Sequence, residues 1–247
     1  MAFMWLPPLY AGQIIKIWYK NTFNNIKERC MTSPSVSSDN IHNIITALEG
    51  EFEENPRSVV AAHRLGLSYW RAGRFADAVR AFKHALEIDD LSFEIRVNLG
   101  SLYFQMGEFE KGIEENKKAL DAYPMSAEAM ANIGAAYIQL QNWDEAANYL
   151  TKALEIKPEM VTVWTNLITV YIEKDDLDKA IKAGEKAVSL APSFGLAHNN
   201  LAVAYYNKGE YRSAMNHLED ASRYGYPAHQ DFVEKVSEKI RSLRRAG

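Results

Sequence analysis

From Val59 to Tyr226 the apolar residues fall at three- and four-residue spacings, the pattern of amphipathic helices, and each helical stretch is followed by a short polar break. In one stretch Ile95, Leu99, Leu102, Tyr103 and Met106 share a face, Gly107 stops the helix, and Phe109, Ile113 and Leu120 begin a second one. The whole arrangement returns every 34 residues, most plainly as Leu65-Gly66 with Tyr69, Leu99-Gly100 with Tyr103, Ile133-Gly134 with Tyr137, Leu167-Ile168 with Tyr171 and Leu201-Ala202 with Tyr205. A fixed period of this length predicts five helical hairpins, residues 59–92, 93–126, 127–160, 161–194 and 195–226, rather than one compact globule. Pro56, Pro124, Pro158 and Pro192 recur on the same period, with Asp90 in the intervening place, and end each unit in a short turn.

The second helix of each unit carries two small residues in register: Ala78, Gly112, Ala146, Ala180 and Ala214, then Ala85, Ala119, Ala153, Ala187 and Ala221. Small side chains are required where helix axes approach closely. Ile168 and Ala202 depart from the glycine of the other units, and Gly184 and Asn116 stand where neighbouring units have Leu150 and Leu218, which predicts looser packing of those second helices. An open stack leaves its end units apolar, so covers are expected. Residues 39–56, with Ile41, Ile44, Ile45, Leu48 and Phe52, read as an N-terminal capping helix. Residues 228–245, with the stripe Phe232, Val236, Ile240 and Leu243, read as a C-terminal one.

The apolar-Gly pair, the tyrosine, the two small positions and the proline together resemble the tetratricopeptide repeat family over residues 59–226. The resemblance implies an all-α, right-handed α-solenoid of five tetratricopeptide hairpins, with first helices lining a groove in which partner peptides lie. Placed on this chain, the groove carries one stripe of Arg64, Asn98, Asn132, Asn166 and Asn200 and a second of Trp70, Phe104, Ile138, Ile172 and Tyr206. A third stripe, Leu67, Ser101, Ala135, Thr169 and Val203, is mostly small, so the asparagines are expected to stay open. Asparagine lies roughly half a kcal/mol or more below alanine in helix propensity. Its amide offers a donor and an acceptor in one plane, suited to an extended peptide backbone. The series is similar to the asparagine ladder of the O-GlcNAc transferase groove; the competing reading is that these residues cap helix ends or face water. A carboxylate clamp of the co-chaperone kind is not expected, because His63, Leu67, Ala131 and Asn132 replace most of its residues and only Asn98 fits. Glu94, Glu128 and Glu173 favour a neutral or basic peptide.

Composition narrows the function further. A net charge of -4 favours neither nucleic acid nor an acidic membrane, and no basic stripe follows the groove. His42, His63, His84, His198, His217 and His229 are dispersed along the chain, and the glycines belong to the repeat rather than to a phosphate-cradling loop. No enzyme activity, metal site or cofactor is therefore expected. The reading is a non-enzymatic interaction module for a protein or peptide partner; the alternative is a self-associating, homo-oligomeric or membrane-associated assembly scaffold. Residues 1–38 form a separate extension. Its first thirty residues are rich in aromatics and carry a net +3, from Lys16, Lys20, Lys27 and Arg29 against Glu28. Three readings stand side by side: a true start at Met31, followed by a polar, disordered stretch from Thr32 to Ser38; a membrane-interface anchor; and an export signal. The single Cys30 suits a reducing compartment, and a cytoplasmic location is expected, or a peripheral membrane one through this segment.

Overall fold

The computed structural model describes residues 38–246; the readings of residues 1–37 lie outside them. Among the described residues there are twelve α-helices and no strand. They are α1 (Ser38–Glu54), α2 (Val59–Arg71), α3 (Phe75–Ile88), α4 (Phe93–Gln105), α5 (Phe109–Ala122), α6 (Ala127–Gln139), α7 (Trp143–Ile156), α8 (Val161–Glu173), α9 (Leu177–Leu190), α10 (Gly195–Asn207), α11 (Tyr211–Arg223) and α12 (Gln230–Ala246). The helices fall into two compact units, the first ending at Met125 and the second beginning at Ser126. The fold class is all-α, of the helical-solenoid kind, each unit being a stack of antiparallel hairpins.

Local chemistry sets the ends of these helices. Ser58 Oγ accepts from the Ala61 N–H and Ser126 Oγ from the Ala129 N–H, both at 3.1 Å, satisfying N–H groups that a helix start leaves without partners. Inside each hairpin the first helix closes with the same bond. The N–H five residues beyond the register tyrosine returns to that tyrosine's carbonyl, as in Arg74 to Tyr69, Asn142 to Tyr137 and Glu210 to Tyr205, all at 2.9 Å. The residue before that donor is left-handed: Gly73, Gly107 and Gly209 at φ 74°, 79° and 84°, but Gln141 at 55° and Asp175 at 58°. A side chain there costs about 1 kcal/mol or more, least for Asp and Asn. The added chain entropy of glycine offsets part of the gain. Gln141→Gly is thus expected to raise stability by about 0.5–1 kcal/mol and Asp175→Gly by less, measured by urea unfolding.

In the first unit the core is built around Phe82, Ile95, Leu99 and Leu102, and α1 adds Ile45 and Leu48 to it. Ile44, assigned to the same face from spacing, points outward at 41% exposure. Tyr69 Oη donates to Glu49 on α1 at 2.6 Å, at the same twenty-residue offset as Tyr205 to Glu185 in the second unit. Helix α1 therefore occupies the place that a preceding second helix takes elsewhere in the array. In the second unit Ile133, Leu150, Ile168, Val170 and Leu201 are fully buried. Helix α12 closes the last hairpin with Val236 against Ala202, Ala214 and Leu218. Leu243 lies beyond that contact and stays 57% exposed, because α12 outruns the hairpin it covers.

The looser packing expected at Asn116 and Gly184 is not found. Asn116 is fully buried, and its Nδ2 donates to the Gly112 carbonyl at 2.8 Å. A methyl group on Gly184 would stand 2.6 Å from Leu201 Cδ1 of the next first helix, so the missing side chain is replaced by a neighbour. The sequence offset explains why. Gly66 and Phe82, and Gly134 and Leu150, are small-large pairs sixteen residues apart whose members meet. At that offset the fourth hairpin has Ile168 and Gly184, large and small exchanged, and Ile168 is fully buried. Total volume is kept, as close packing demands.

Candidate peptide-binding face

Within each unit the first helices of successive hairpins are neighbours, so a residue meets one placed about one period away. In the first unit Asn98 Nδ2 donates to His63 Nε2 at 2.9 Å, and Trp70 Nε1 donates to Gln105 Oε1 at 2.6 Å. Arg64, exposed, turns away from this row to pair with Glu51 on α1 at 3.1 Å. In the second unit Asn200 Nδ2 donates to Thr169 Oγ1 at 3.5 Å and its Oδ1 accepts from Asn199. Asn132 is half-buried.

The asparagines are not uniformly open. Asn166 and Asn200 retain 7% and 3% of their exposure. Their surroundings also differ. Asn200 is bonded, whereas the Asn166 amide has no hydrogen-bond partner among the described residues. Nor is that amide sealed inside the protein: the buried side-chain atoms without a hydrogen bond are Gln139 Nε2 and Glu108 Oε2, the latter with Lys111 Nζ at 2.5 Å. The Asn166 amide therefore opens onto the surface of the first-helix face with its bonding capacity free.

The second stripe is corrected more strongly. Phe104 and Ile138 belong to the core, at 7% and 2% exposure. The Phe104 ring takes the space that a side chain on Gly112 would need. Tyr206 is half-buried against Tyr211 and, edge-on at 5.3 Å, against Phe232 of α12. Trp70 packs edge-on against Phe82. Of that stripe Trp70, Ile172 and Tyr206 keep partial exposure, and Tyr206 packs on the terminal helix α12. All five share one helical phase, so their different burial comes from the neighbours each one meets and not from its place on the helix.

The acidic groups also sort differently. Lys157 engages Glu128 at 3.1 Å, and backbone and lysine hydrogen bonds hold its carboxyl below the usual range. Glu173, half-buried at the end of α8, has its carboxyl pushed up by desolvation. Gln105 and Gln139, two periods and one period before Glu173, are not part of the face read from the sequence; their signal is a polar residue repeated at the last turn of the first helix.

Residues 38–233 match the family of the cilia and flagella-associated protein 70 C-terminal domain, a tetratricopeptide-repeat domain. The chain belongs to that family. No curated protein matches it. Among solved structures it is similar to MamA, at 28% identity over 67% of this chain and 91% of the other, with a TM-score of 0.62. MamA from Desulfovibrio magneticus RS-1 is 20% identical over 68% of this chain and 94% of that one, TM-score 0.64. YrrB, described as a TPR protein with an unusual peptide-binding site, is 19% identical over 72% and 92%, TM-score 0.60. The last two show the fold alone. The tetratricopeptide fold and family are typically those of non-enzymatic protein–protein interaction modules, and among the described residues no helix is long and apolar enough to cross a membrane.

In this tetratricopeptide array the Asn98–His63 bond fixes a protonation state. An amide Nδ2 can only donate, so His63 Nε2 must be bare and the ring neutral. Burial lowers the His63 pKa, opposed by the Glu94 charge. The unfolded chain then binds the proton more readily than the folded one, so stability is present above the ordinary value and is lost as pH falls through about 6.5. Thermal unfolding between pH 7.5 and 5 is expected to show this loss, reduced in His63→Gln.

Proposed function

We propose that the chain is a non-enzymatic peptide-binding module whose first-helix faces take an extended segment of a partner protein and pair with its backbone through side-chain amides. The Asn166 amide carries this reading: it is buried to nine-tenths, open at its polar end and bound to nothing among the described residues. Held by a largely buried side chain with its polar end open to water, the amide can exchange that water for the backbone of a bound peptide. Glu173, at a register position on α8, adds an acceptor with a partly desolvated carboxyl. This set suits a neutral or basic segment. Arg64, Trp70 and Asn98 on the first unit, and Asn132, Asn166, Ile172 and Asn200 on the second, are the proposed contacts; Phe104, Ile138 and Tyr206 shape the face from behind. YrrB, which shares the fold, is described as having a peptide-binding site, and this supports the reading.

The test is a random-peptide display selection against the full chain, followed by titration of the selected peptides into Asn132→Ala and Asn166→Ala. Folded variants should bind them at least about tenfold more weakly. Equal affinity in both folded variants, or no selectable peptide, would overturn the reading.

A further inference from the structure

The dispersed histidines meet in the last hairpin. His198 on α10 and His217 on α11, nineteen residues apart, bring their Nδ1 atoms within 3.1 Å, and Asp220, one turn beyond His217, places Oδ2 3.9 Å from His198 Nδ1. The three ligand atoms lie within 4.8 Å of one another. His198 is buried, and His217 and Asp220 are partly so.

The repeat register fixes the tautomer of His198. One and three periods earlier stand Trp164 and Arg96, and both donate to the carbonyl six residues before them. Trp164 Nε1 reaches Pro158 at 2.8 Å; Arg96 Nε and one of its terminal nitrogens reach Asp90 at 3.0 and 2.6 Å. His198 Nε2 meets the corresponding Pro192 carbonyl at 2.9 Å. Indole and guanidinium nitrogens can only donate, and a carbonyl can only accept, so Nε2 carries the hydrogen. In the neutral ring Nδ1 is then a bare lone pair aimed at His217 and Asp220. A histidine oriented by a backbone carbonyl on its far nitrogen is the usual arrangement of a metal ligand.

The same crossing point shows what this place does elsewhere. In the second hairpin the three register positions hold Arg96, Glu115 and Lys118: Arg96 pairs with Glu115 across the two helices at 2.9 Å, and Lys118 pairs with Glu115 along α5 at 3.0 Å. In the fifth hairpin they hold His198, His217 and Asp220. A charged cross-link is replaced by three metal-ligating side chains, two of them imidazoles. Tetrahedral zinc with Zn–N bonds of about 2.0–2.1 Å sets its nitrogens about 3.3 Å apart. The observed Nδ1 separation is 3.1 Å. The 3.9 Å from His198 Nδ1 to Asp220 Oδ2 exceeds the zinc spacing by about half an ångström. The other oxygen of Asp220 is held by Arg223 at 2.6 Å.

We propose that His198 Nδ1, His217 Nδ1 and Asp220 Oδ2 bind a divalent cation of the zinc class, which ties α10 to α11 and leaves one coordination position for water or a partner's side chain. On binding, His217 moves its hydrogen from Nδ1 to Nε2, so no net proton is released. The donor set of two imidazoles and one carboxylate favours zinc over magnesium or calcium, which take oxygen.

The test uses the full chain stripped of metal and titrated with Zn2+ by calorimetry, with Co2+ as a spectroscopic probe. One saturable site per chain is expected, with a visible Co2+ band and a higher Tm in the presence of Zn2+. His217→Gln should weaken binding by more than about 100-fold, beyond the loss typical of an outer-sphere partner, and abolish the Co2+ band. Should that variant unfold, Asp220→Asn carries the decision: it is partly exposed, and it should weaken binding about tenfold or more with its metal-free Tm unchanged. Absence of saturable Zn2+ binding, or unchanged affinity in the folded variants, would place any metal elsewhere and overturn the site.

Discussion

Leu150→Ala is expected to lower the stability of the full chain by about 2–5 kcal/mol in thermal or urea unfolding. Leu150 is fully buried in α7 and sits over the glycine of the first helix, so its loss leaves a cavity that the rigid hairpin cannot close. A methyl group on Gly134 would stand 2.6 Å from Leu150 Cγ and 3.3 Å from its backbone nitrogen. Gly134→Ala alone is accordingly an overpacking change, costing about 1–3 kcal/mol. Combined, the two substitutions relieve each other, since the new methyl enters space vacated by the leucine. The double variant should be less damaged than the sum by about 0.5–3 kcal/mol. Strict additivity would show that the pair is not in contact and that the small-large exchange at Ile168 and Gly184 has no packing meaning.

Asn166→Ala carries two effects of opposite sign. Stability should rise by roughly half a kcal/mol, from better helix propensity with no internal hydrogen bond to lose. Affinity for a selected peptide should fall about tenfold or more, because the same amide is the proposed contact. The register partner supplies the contrast. Asn200, bonded to Thr169 and Asn199, should cost about 1 kcal/mol of stability when changed to alanine, through loss of internal hydrogen bonds. Loss of stability at Asn166, with affinity intact, would make it a structural residue like Asn200 and remove the observation on which the binding face rests.

Much of the fold was legible because it is written in local rules. Helix phase comes from apolar spacing, helix ends from glycine, serine and proline, and repetition makes each rule visible five times. Even so, Ile44 and Leu243 were assigned to covered faces that they do not occupy, since a stripe shows which residues share a side but not how far the neighbour extends. The face itself was less legible. The asparagines, identical in register, have different fates: Asn98 is tied to a histidine, Asn200 to a threonine and its neighbour, and Asn166 to nothing described.

By itself the sequence determined the period, the all-α class and the hairpin as the unit, because those follow from interactions between residues three, four and sixteen positions apart. Only the tertiary structure decided which of the repeated polar groups are satisfied, that Gly184 is filled by Leu201, and that His198 and His217 meet beside Asp220. Those outcomes depend on side chains from different helices arriving at one point. Their separations of 17, 19, 31 and 35 residues carry no signature until the helices are packed.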